Sequence, residues 1–225
     1  MKIGLYGIYG LYNYGCEAIV RGTYCILKKI NPNVQIIYFS MQANEDKKIL
    51  KDLDIDIIQL TDNRTLLIRA INVVCMRSNI PHRFGKTSYR QIVNECDVVF
   101  SIGGDLYTIP LYLRKQNKYP YYNNIVQFGN YVHKRNRKMV VFGASIGPFG
   151  CYKKARDYYF TNLKEMNLIV AREEKCIDYL KEGGIEEKVI FMPDPAFAVS
   201  LKEELQSTRP EYIGINLSPL SVRCV

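Results

Sequence analysis

The sequence predicts an α/β protein built on a doubly wound parallel sheet, with helices on both faces of the sheet. Short apolar runs alternate along the chain with longer segments whose apolar residues recur every three or four positions, a pattern typical of repeated strand–helix units. Glycine-rich or polar loops follow several of the apolar runs, and the first of these loops extends from Gly7 to Gly15. Such loops are expected at the carboxyl ends of parallel strands, where the chain turns into the next helix.

The apolar runs predict the strands of a Rossmann-like sheet. The first run covers residues 2–6, and the second, VQIIYF at residues 34–39, is apolar throughout, as expected for a strand buried on both faces. Further strands are predicted in chain order over residues 55–60, 97–102, 139–142, 168–171 and 189–192.

The helices are predicted from the spacing of apolar residues and from residues that start or stop a helix. The first helix is expected over residues 17–30 and is ended by Asn31-Pro32. Asn44 is expected to cap a short helix that runs to Leu53, and Gly183-Gly184 to end the helix that opens at Arg172. The remaining helices are predicted over residues 61–79, 87–95, 121–137 and 153–165.

The chain is expected to contain one domain and the start of another. Residues 1–200 carry the strand–helix alternation, and residues 201–210 are polar and are interpreted as a linker. Residues 211–225 include a new apolar run, YIGINL, which predicts the first strand of an incomplete second domain. Residues 106–119, rich in Tyr, Pro and Lys, are interpreted as a loop beside a cleft.

Composition narrows the classes of function. The 225 residues carry a net charge of +9, which favours anionic partners such as phosphorylated metabolites, anionic glycans or acidic lipids, or serves solubility alone. No apolar run is long enough to span a membrane and no signal peptide is evident, so a cytoplasmic protein is expected. Seven cysteines without a CxxC pair are expected to be reduced, and two histidines make a histidine-based zinc site improbable.

The loops after successive strands are expected to line one cleft. Because parallel strands end at the same sheet edge, Gly103-Gly104-Asp105, Gly143 to Gly147, Arg172 and Asp194 should lie near the first loop. The first loop lacks the GxGxxG pattern, and the second strand ends in Ser40 and not in an acidic residue, which disfavours a dinucleotide. A phosphate-binding GKS or GKT and a GxSxG nucleophile elbow are also missing from the sequence.

The ordered set of loop motifs resembles that of the polysaccharide pyruvyl transferase family. The matching segments cover nearly the whole chain: GxxGxxNxGxEAI from Gly7, FSIGGD from Phe100, GASIGP from Gly143, ARE from Ala171, PDPAF from Pro193 and IGIN from Ile213. One departure is Cys16, where the family usually has an aspartate before Glu17. The resemblance implies two Rossmann-like domains with a cleft between them, as in GT-B glycosyltransferases, of which this chain resembles the N-terminal half.

The resemblance also implies a reaction. Such enzymes transfer a pyruvyl group from phosphoenolpyruvate to two hydroxyls of one sugar, which gives a cyclic ketal, and no further cofactor or metal is expected. Arg172 is the expected donor ligand, since arginine binds carboxylate and phosphate oxygens in pairs. Glu17 is the candidate acid or base, and Asp105 a second base or a ligand for a sugar hydroxyl. The substrate-binding candidates are Gly10, Asn13, Gly15, Gly103, Gly104, Ser145 and Gly147.

Other side chains receive weaker roles. Tyr107, Tyr112 and Tyr119 could stack on sugar rings or lie in a surface loop, whereas Asp194, between two prolines, is expected to be structural. His133, beside Lys134 and Arg135, is expected on a solvated helix face.

Three functions stay open at this point. The first is the pyruvyl transferase, acting on a glycan or a lipid-linked saccharide in exopolysaccharide, capsule or cell-wall synthesis, with contact to the anionic inner face of the cell membrane. The second is a GT-B-like glycosyltransferase that uses a nucleotide sugar. The third is an inactive fragment that binds only the acceptor.

Overall fold

The structure, a computed structural model, describes residues 1–62, 64–78, 80, 84 and 89–199. These residues form a seven-stranded sheet in which each neighbouring pair of strands is parallel. The strands are β1 (Lys2–Tyr6), β2 (Gln35–Ser40), β3 (Asp56–Gln59), β4 (Val98–Ile102), β5 (Lys138–Ala144), β6 (Leu168–Ala171) and β7 (Val189–Phe191).

Helices connect the strands. They are α1 (Tyr14–Ile30), α2 (Ala43–Ile49), α3 (Leu66–Arg77), α4 (Tyr89–Glu95), α5 (Leu111–Arg114), α6 (Asn124–His133), α7 (Lys153–Lys164) and α8 (Glu174–Glu182). A 3₁₀ helix, Pro195–Ala198, follows β7. None of the helices that the structure describes combines the length and the apolarity needed to cross a bilayer.

The strand order is β3-β2-β1-β4-β5-β6-β7, which confirms the predicted doubly wound, Rossmann-like sheet. The order reverses between β1 and β4, because β1 pairs with β2 on one side and with β4 on the other. In an open parallel sheet the ligand crevice lies beyond the carboxyl ends of the strands at such a switch point. The loops named above as candidate binding elements therefore leave the sheet at the edge where a crevice is expected.

Two buried clusters cover the two faces of the sheet. Successive residues of a strand point to opposite faces, and in β1 the side chain of Leu5 belongs to one cluster while that of Tyr6 belongs to the other. Helix α1 contributes Val20 to the cluster of Leu5, whereas α6 contributes Phe128 to the cluster of Tyr6. Helices on both faces explain why the strands read as continuous apolar runs.

Side-chain caps shorten two helices relative to the predictions. Helix α3 begins at Leu66, because the hydroxyl of Thr65 accepts a hydrogen bond from the backbone N–H of Ile68. Helix α6 begins at Asn124, because the side chain of Asn123 accepts from the backbone N–H of Ile125. A polar cap satisfies an N–H group that has no partner inside the helix, so it sets where the helix starts.

The predicted cap of α2 was wrong. Asn44 lies inside the helix, which begins at Ala43 and has Gln42 in the capping position. The side-chain oxygen of Gln59 in β3 accepts from the backbone N–H of Ala43 at 3.0 Å. A partner from a neighbouring strand therefore takes the place of a local cap.

Residues 106–119 are more ordered than a loop. They contain α5, and Tyr107 forms an isolated parallel bridge with Ile146. The side chains of Tyr107 and Tyr119 are buried, so both alternatives, stacking on a sugar and a place in a surface loop, were wrong for these two; Tyr112 is exposed. The six cysteines among the described residues are free thiols. The predicted linker and second-domain strand lie outside the described residues.

Candidate functional site

The loops at the carboxyl edge of the sheet contact one another in sequence along the edge. A Cβ atom added to Gly7, after β1, would lie 2.4 Å from the carbonyl oxygen of Ile102 at the end of β4. The backbone N–H of Ser145, after β5, donates to the carbonyl of Gly104 at 2.7 Å. The backbone N–H of Arg172, after β6, donates to the carbonyl of Ala144 at 3.3 Å. Four loops that are far apart in sequence thus form one continuous wall.

Arg172 is the centre of this wall. Its Nη2 donates to Oδ1 of Asp105 at 3.0 Å and its Nη1 donates to Oδ2 of Asp194 at 2.6 Å. Its Nε donates to the hydroxyl of Ser145 at 2.8 Å. The guanidinium therefore joins the loops after β4, β5, β6 and β7. Its side chain is 20% exposed and is therefore not completely closed off from solvent.

Ser145 is held by two groups. Its hydroxyl accepts from Arg172 and donates its one proton to Oε1 of Glu173 at 2.6 Å. Because a hydroxyl has a single proton to donate, Ser145 in this state can offer a ligand only a lone pair. Its main contribution here is to fix the plane of the Arg172 guanidinium.

The two carboxylates that accept hydrogen bonds from Arg172 differ in exposure, and Oε1 of Glu173 lies 3.8 Å from its Nε as a third acidic neighbour. The side chain of Asp105 is 78% exposed, whereas that of Asp194 is 20% exposed. The other oxygen of Asp194 accepts from the backbone N–H of Ala196, which places the carboxylate at the start of the 3₁₀ helix. Asp194 is thus a fixed partner of Arg172, while Asp105 is the partner that a solvent-borne anion can replace at low cost.

Two glycines keep these loops close together. A Cβ atom on Gly104 would lie 2.6 Å from Nη1 of Arg172, so any residue other than glycine would displace the guanidinium. Gly143 has a φ of +68°, and a Cβ atom there would lie 2.4 Å from Cδ of Pro195. The 3₁₀ helix that carries Asp194 can therefore approach the end of β5 closely.

The first loop is attached to β2. The backbone N–H of Leu11 donates to Oδ1 of Asp46 at 3.1 Å, and Asp46 is a buried carboxylate that also accepts from the hydroxyl of Ser40. The side chain of Asn13 caps α1, since its Oδ1 accepts from the backbone N–H of Cys16 at 2.9 Å. Gly10 precedes this cap, and Gly15 lies in the first turn of α1.

Glu17 is engaged on the outer side of the first loop. Its carboxylate accepts from Nε of Arg21 at 2.7 Å, and Arg21 also binds Asp52 beyond α2. The hydrogen bond from Arg21 lowers the pKa of Asp52. The side-chain partner of Glu17 is therefore Arg21 and not Arg172. The role of Glu17 as an acid or base stays a prediction.

The structure thus brings together three of the candidate residues, because Arg172 contacts both Asp105 and Ser145. Gly104 packs on Arg172, and Gly103, with a φ of +133°, turns the same loop. Gly147 lies further along the loop after β5, where its backbone N–H donates to the carbonyl of Tyr107.

Two members of the network were not among the sequence candidates. Asp194 was expected to be structural and Glu173 was not assigned a role, yet one binds Arg172 and the other binds Ser145. Their signal was their position shortly after the ends of β7 and β6, which is the rule that selected Asp105 and Arg172. His133, by contrast, lies at the exposed end of α6 and pairs with Glu165, as a solvated helix face predicts.

Solved structures share the fold. The chain is similar to UDP-GlcNAc 2-epimerase from Neisseria meningitidis bound to UDP-GlcNAc, with 11% identity and a TM-score of 0.50 over 87% of this chain and 47% of the epimerase. It is also similar to Anabaena HepE in complex with UDP-glucose, with 10% identity and a TM-score of 0.47 over 86% of this chain and 43% of HepE. The chain thus spans less than half of either protein, and the likeness shows a Rossmann-like fold alone.

One sequence comparison found a match. No curated protein sequence matches the chain. The family model described as polysaccharide pyruvyl transferase matches residues 13–222, which include the loops that carry Asp105, Ser145 and Arg172. Since this match covers most of the 225 residues, the chain belongs to the polysaccharide pyruvyl transferase family.

Proposed function

We propose that this chain takes part in the transfer of a pyruvyl group from phosphoenolpyruvate to two hydroxyls of a sugar, and that Arg172 binds the anionic donor. The observation that carries the proposal is the position of the Arg172 guanidinium, held by Asp105, Ser145 and Asp194 from three other strand-end loops. A fixed, partly exposed arginine is suited to a planar carboxylate or a phosphate. Membership of the family supplies the choice of donor.

The reaction sets the chemical requirements of the site. The C–O bond between the donor carbon and phosphate breaks, and two C–O bonds form between that carbon and the sugar oxygens. The two sugar hydroxyls lose two protons. One is balanced by the proton that the methylene carbon gains, and the other leaves with phosphate. The site must therefore supply a cation for the donor, a base for the sugar hydroxyl and an acid for the methylene carbon.

The residues around Arg172 suit the first two requirements. Asp105 is an exposed carboxylate at 3.0 Å from the guanidinium, so a base would lie beside the bound donor. An incoming anion would take the place of Asp105 on Nη2, which leaves the Asp105 carboxylate available to accept a proton. Asp194 and Ser145 would stay in place and keep the guanidinium oriented. Glu17 is proposed as the acid or base of the first loop.

The donor can be tested by thermal unfolding with each candidate ligand. Phosphoenolpyruvate at about 100 times its dissociation constant should stabilise the native chain by about 2.7 kcal/mol. For a domain of roughly 200 residues this is a rise of about 5–10 °C in the melting temperature. UDP-glucose at the same concentration should give no shift. A shift with UDP-glucose and none with phosphoenolpyruvate would contradict the proposal. It would favour a glycosyltransferase that uses a nucleotide sugar, the ligand class named for both structural neighbours.

Turnover separates the enzyme from a fragment that only binds the acceptor. We expect phosphate release when the chain is incubated with phosphoenolpyruvate and an acceptor glycan from exopolysaccharide, capsule or cell-wall synthesis. Binding of the glycan without phosphate release would contradict catalysis by this chain.

Replacement of Asp105 by asparagine should separate binding from catalysis. The substitution removes the exposed negative charge from Arg172, so phosphoenolpyruvate should bind severalfold more tightly. Loss of a base should lower kcat by about 10²–10⁴-fold. Steady-state kinetics with a phosphate-release assay would measure both quantities. The matched control, Asp178→Asn, changes a carboxylate of α8 that is outside the recorded Arg172 network and should alter neither value. Weaker donor binding in Asp105→Asn would contradict the arrangement.

A further inference from the structure

The outward surface of α3 is apolar. The exposed fractions are 84% for Leu66, 71% for Leu67 and 62% for Val74. Ile71 and Met76 are also exposed, by 40% and 44%. A helix on the surface of a globular protein normally turns polar residues to water. Leu66, Leu67, Ile71 and Val74 lie within about 140° of one another around the helix, and we call this outward patch the α3 face; Met76 lies on the opposite side.

The buried side of α3 is narrow and carries a polar residue. Asn72 and Cys75 are the buried residues of the helix. The side chain of Asn72 donates to the carbonyl of Phe84 at 2.9 Å and accepts from the backbone N–H of Phe84 at 2.8 Å. The side of α3 that faces the protein thus holds an amide and a thiol, while leucine and valine face outward together with Arg69. This arrangement is expected when the outward side meets an apolar phase.

The sequence of α3 and of its flanking segments is positively charged. Residues 63–94 contain six arginines or lysines and no aspartate or glutamate. The nearest preceding acid, Asp62, is paired with Arg64 at 2.7 Å and with Arg69 at 3.5 Å. The Arg64 guanidinium lowers the pKa of Asp62 to about 2, so this pair stays ionised and contributes no net charge at neutral pH. Arg69 and Arg77 then give α3 an excess of positive charge.

A groove of about 340 Å³ lies beside the same helix. Val73 and Met76 of α3 line it together with Arg64. Arg64 is paired with Asp62, so the groove adds apolar surface from Val73 and Met76 and no free positive charge.

A second copy of this chain fits the α3 face poorly. A two-fold contact would bring the same patch of both copies together, so Arg69 and Arg77 would face identical positive patches. An anionic lipid surface instead offers an apolar phase below a layer of negative charge, which complements both properties. Helix α3 has 12 residues and would lie in the interface and not across it.

We propose that the α3 face docks on an anionic lipid bilayer, with Leu66, Leu67 and Val74 inserted below the headgroups and with Arg69 and Arg77 at the headgroup phosphates. The inference stands apart from the proposed reaction, since it uses none of the residues around Arg172. The net charge of +9 suggests a membrane contact, and the proposal assigns that contact to one helix, α3.

Vesicle flotation with the full chain tests the docking. The wild-type chain should float with vesicles that contain phosphatidylcholine and 30% phosphatidylglycerol, should bind phosphatidylcholine vesicles much less, and should dissociate as salt rises. The double variant Leu67→Gln/Val74→Gln should bind at least about 10-fold more weakly, since both side chains leave the acyl region. Arg77→Gln should weaken binding about fivefold.

Two control variants match these changes. Leu111→Gln alters a leucine of α5 that is 62% exposed, and Arg137→Gln alters an exposed arginine after α6. Both should bind vesicles within twofold of the wild type, and circular dichroism should show that every variant is folded. Since the altered α3 side chains are exposed, the variants should keep the melting temperature of the wild type.

Three results would overturn the docking surface. The first is a wild-type chain that does not float, or floats equally with neutral vesicles. The second is an equal loss in Leu111→Gln and in the α3 variant. The third is a wild-type chain that dimerises with increasing concentration without binding vesicles, together with a monomeric α3 variant, which would assign the face to self-association.

Discussion

Replacement of Arg172 by lysine should lower kcat/KM for pyruvyl transfer by roughly 10²–10³-fold, the usual effect of removing one well-placed charged donor. Lysine keeps the positive charge but offers one ammonium group in place of a planar fork. It cannot reach Asp105, Ser145 and Asp194 in the geometry that the guanidinium has. The rise in melting temperature that phosphoenolpyruvate produces should also be smaller in Arg172→Lys than in the wild type.

The control for this experiment is Arg137→Lys, which makes the same change at an exposed position after α6. Its kinetics and its response to phosphoenolpyruvate should equal those of the wild type. Wild-type kcat/KM in Arg172→Lys would show that the donor is bound elsewhere. Folding of the variant is checked separately by its melting temperature without ligand.

Replacement of Gly22 by alanine should destabilise the protein by about 2 kcal/mol, although alanine is the better helix former by about 1 kcal/mol. A Cβ atom at this position in α1 would lie 1.7 Å from the carbonyl oxygen of Pro195. The 3₁₀ helix would have to move away from α1, and Asp194, directly before it, would move with it. For a chain of roughly 200 residues the melting temperature should fall by about 4–8 °C.

Gly15→Ala, in the same helix, is the matched control. Its Cβ atom would meet only Oδ1 of Asn13, at 3.2 Å, and the position is exposed. This variant should unfold within about 0.5 kcal/mol of the wild type. Phosphoenolpyruvate should stabilise Gly22→Ala less than the wild type, because Asp194 helps to orient Arg172. A gain in stability in Gly22→Ala would contradict the close packing of α1 on the 3₁₀ helix.

The sheet was largely predictable because its strands are buried on both faces. The predicted bounds of β1 and β6 are those observed, Lys2–Tyr6 and Leu168–Ala171. Helix ends were less predictable, since periodicity does not distinguish a capping residue from the first turn. Thr65 and Asn123 start their helices several residues later than the apolar spacing suggests, and Gln59 supplies the partner that Asn44 was expected to supply.

The candidate site was predictable to the extent that the strand-end rule applies. It placed Asp105, Ser145 and Arg172 together, and the side chain of Arg172 contacts the other two. It did not assign Asp194 to Arg172, because that contact depends on how the 3₁₀ helix packs against α1 and β5. It also could not place Tyr107, whose burial depends on the bridge with Ile146.

A structure of the full chain crystallised with phosphoenolpyruvate would test the central proposal most directly. The arrangement predicts a carboxylate or phosphate oxygen of the ligand at about 2.7–3.2 Å from the guanidinium of Arg172, with Asp194 and Ser145 in place and Asp105 displaced from Nη2. A ligand bound away from Arg172, with the guanidinium still paired with Asp105, would contradict it.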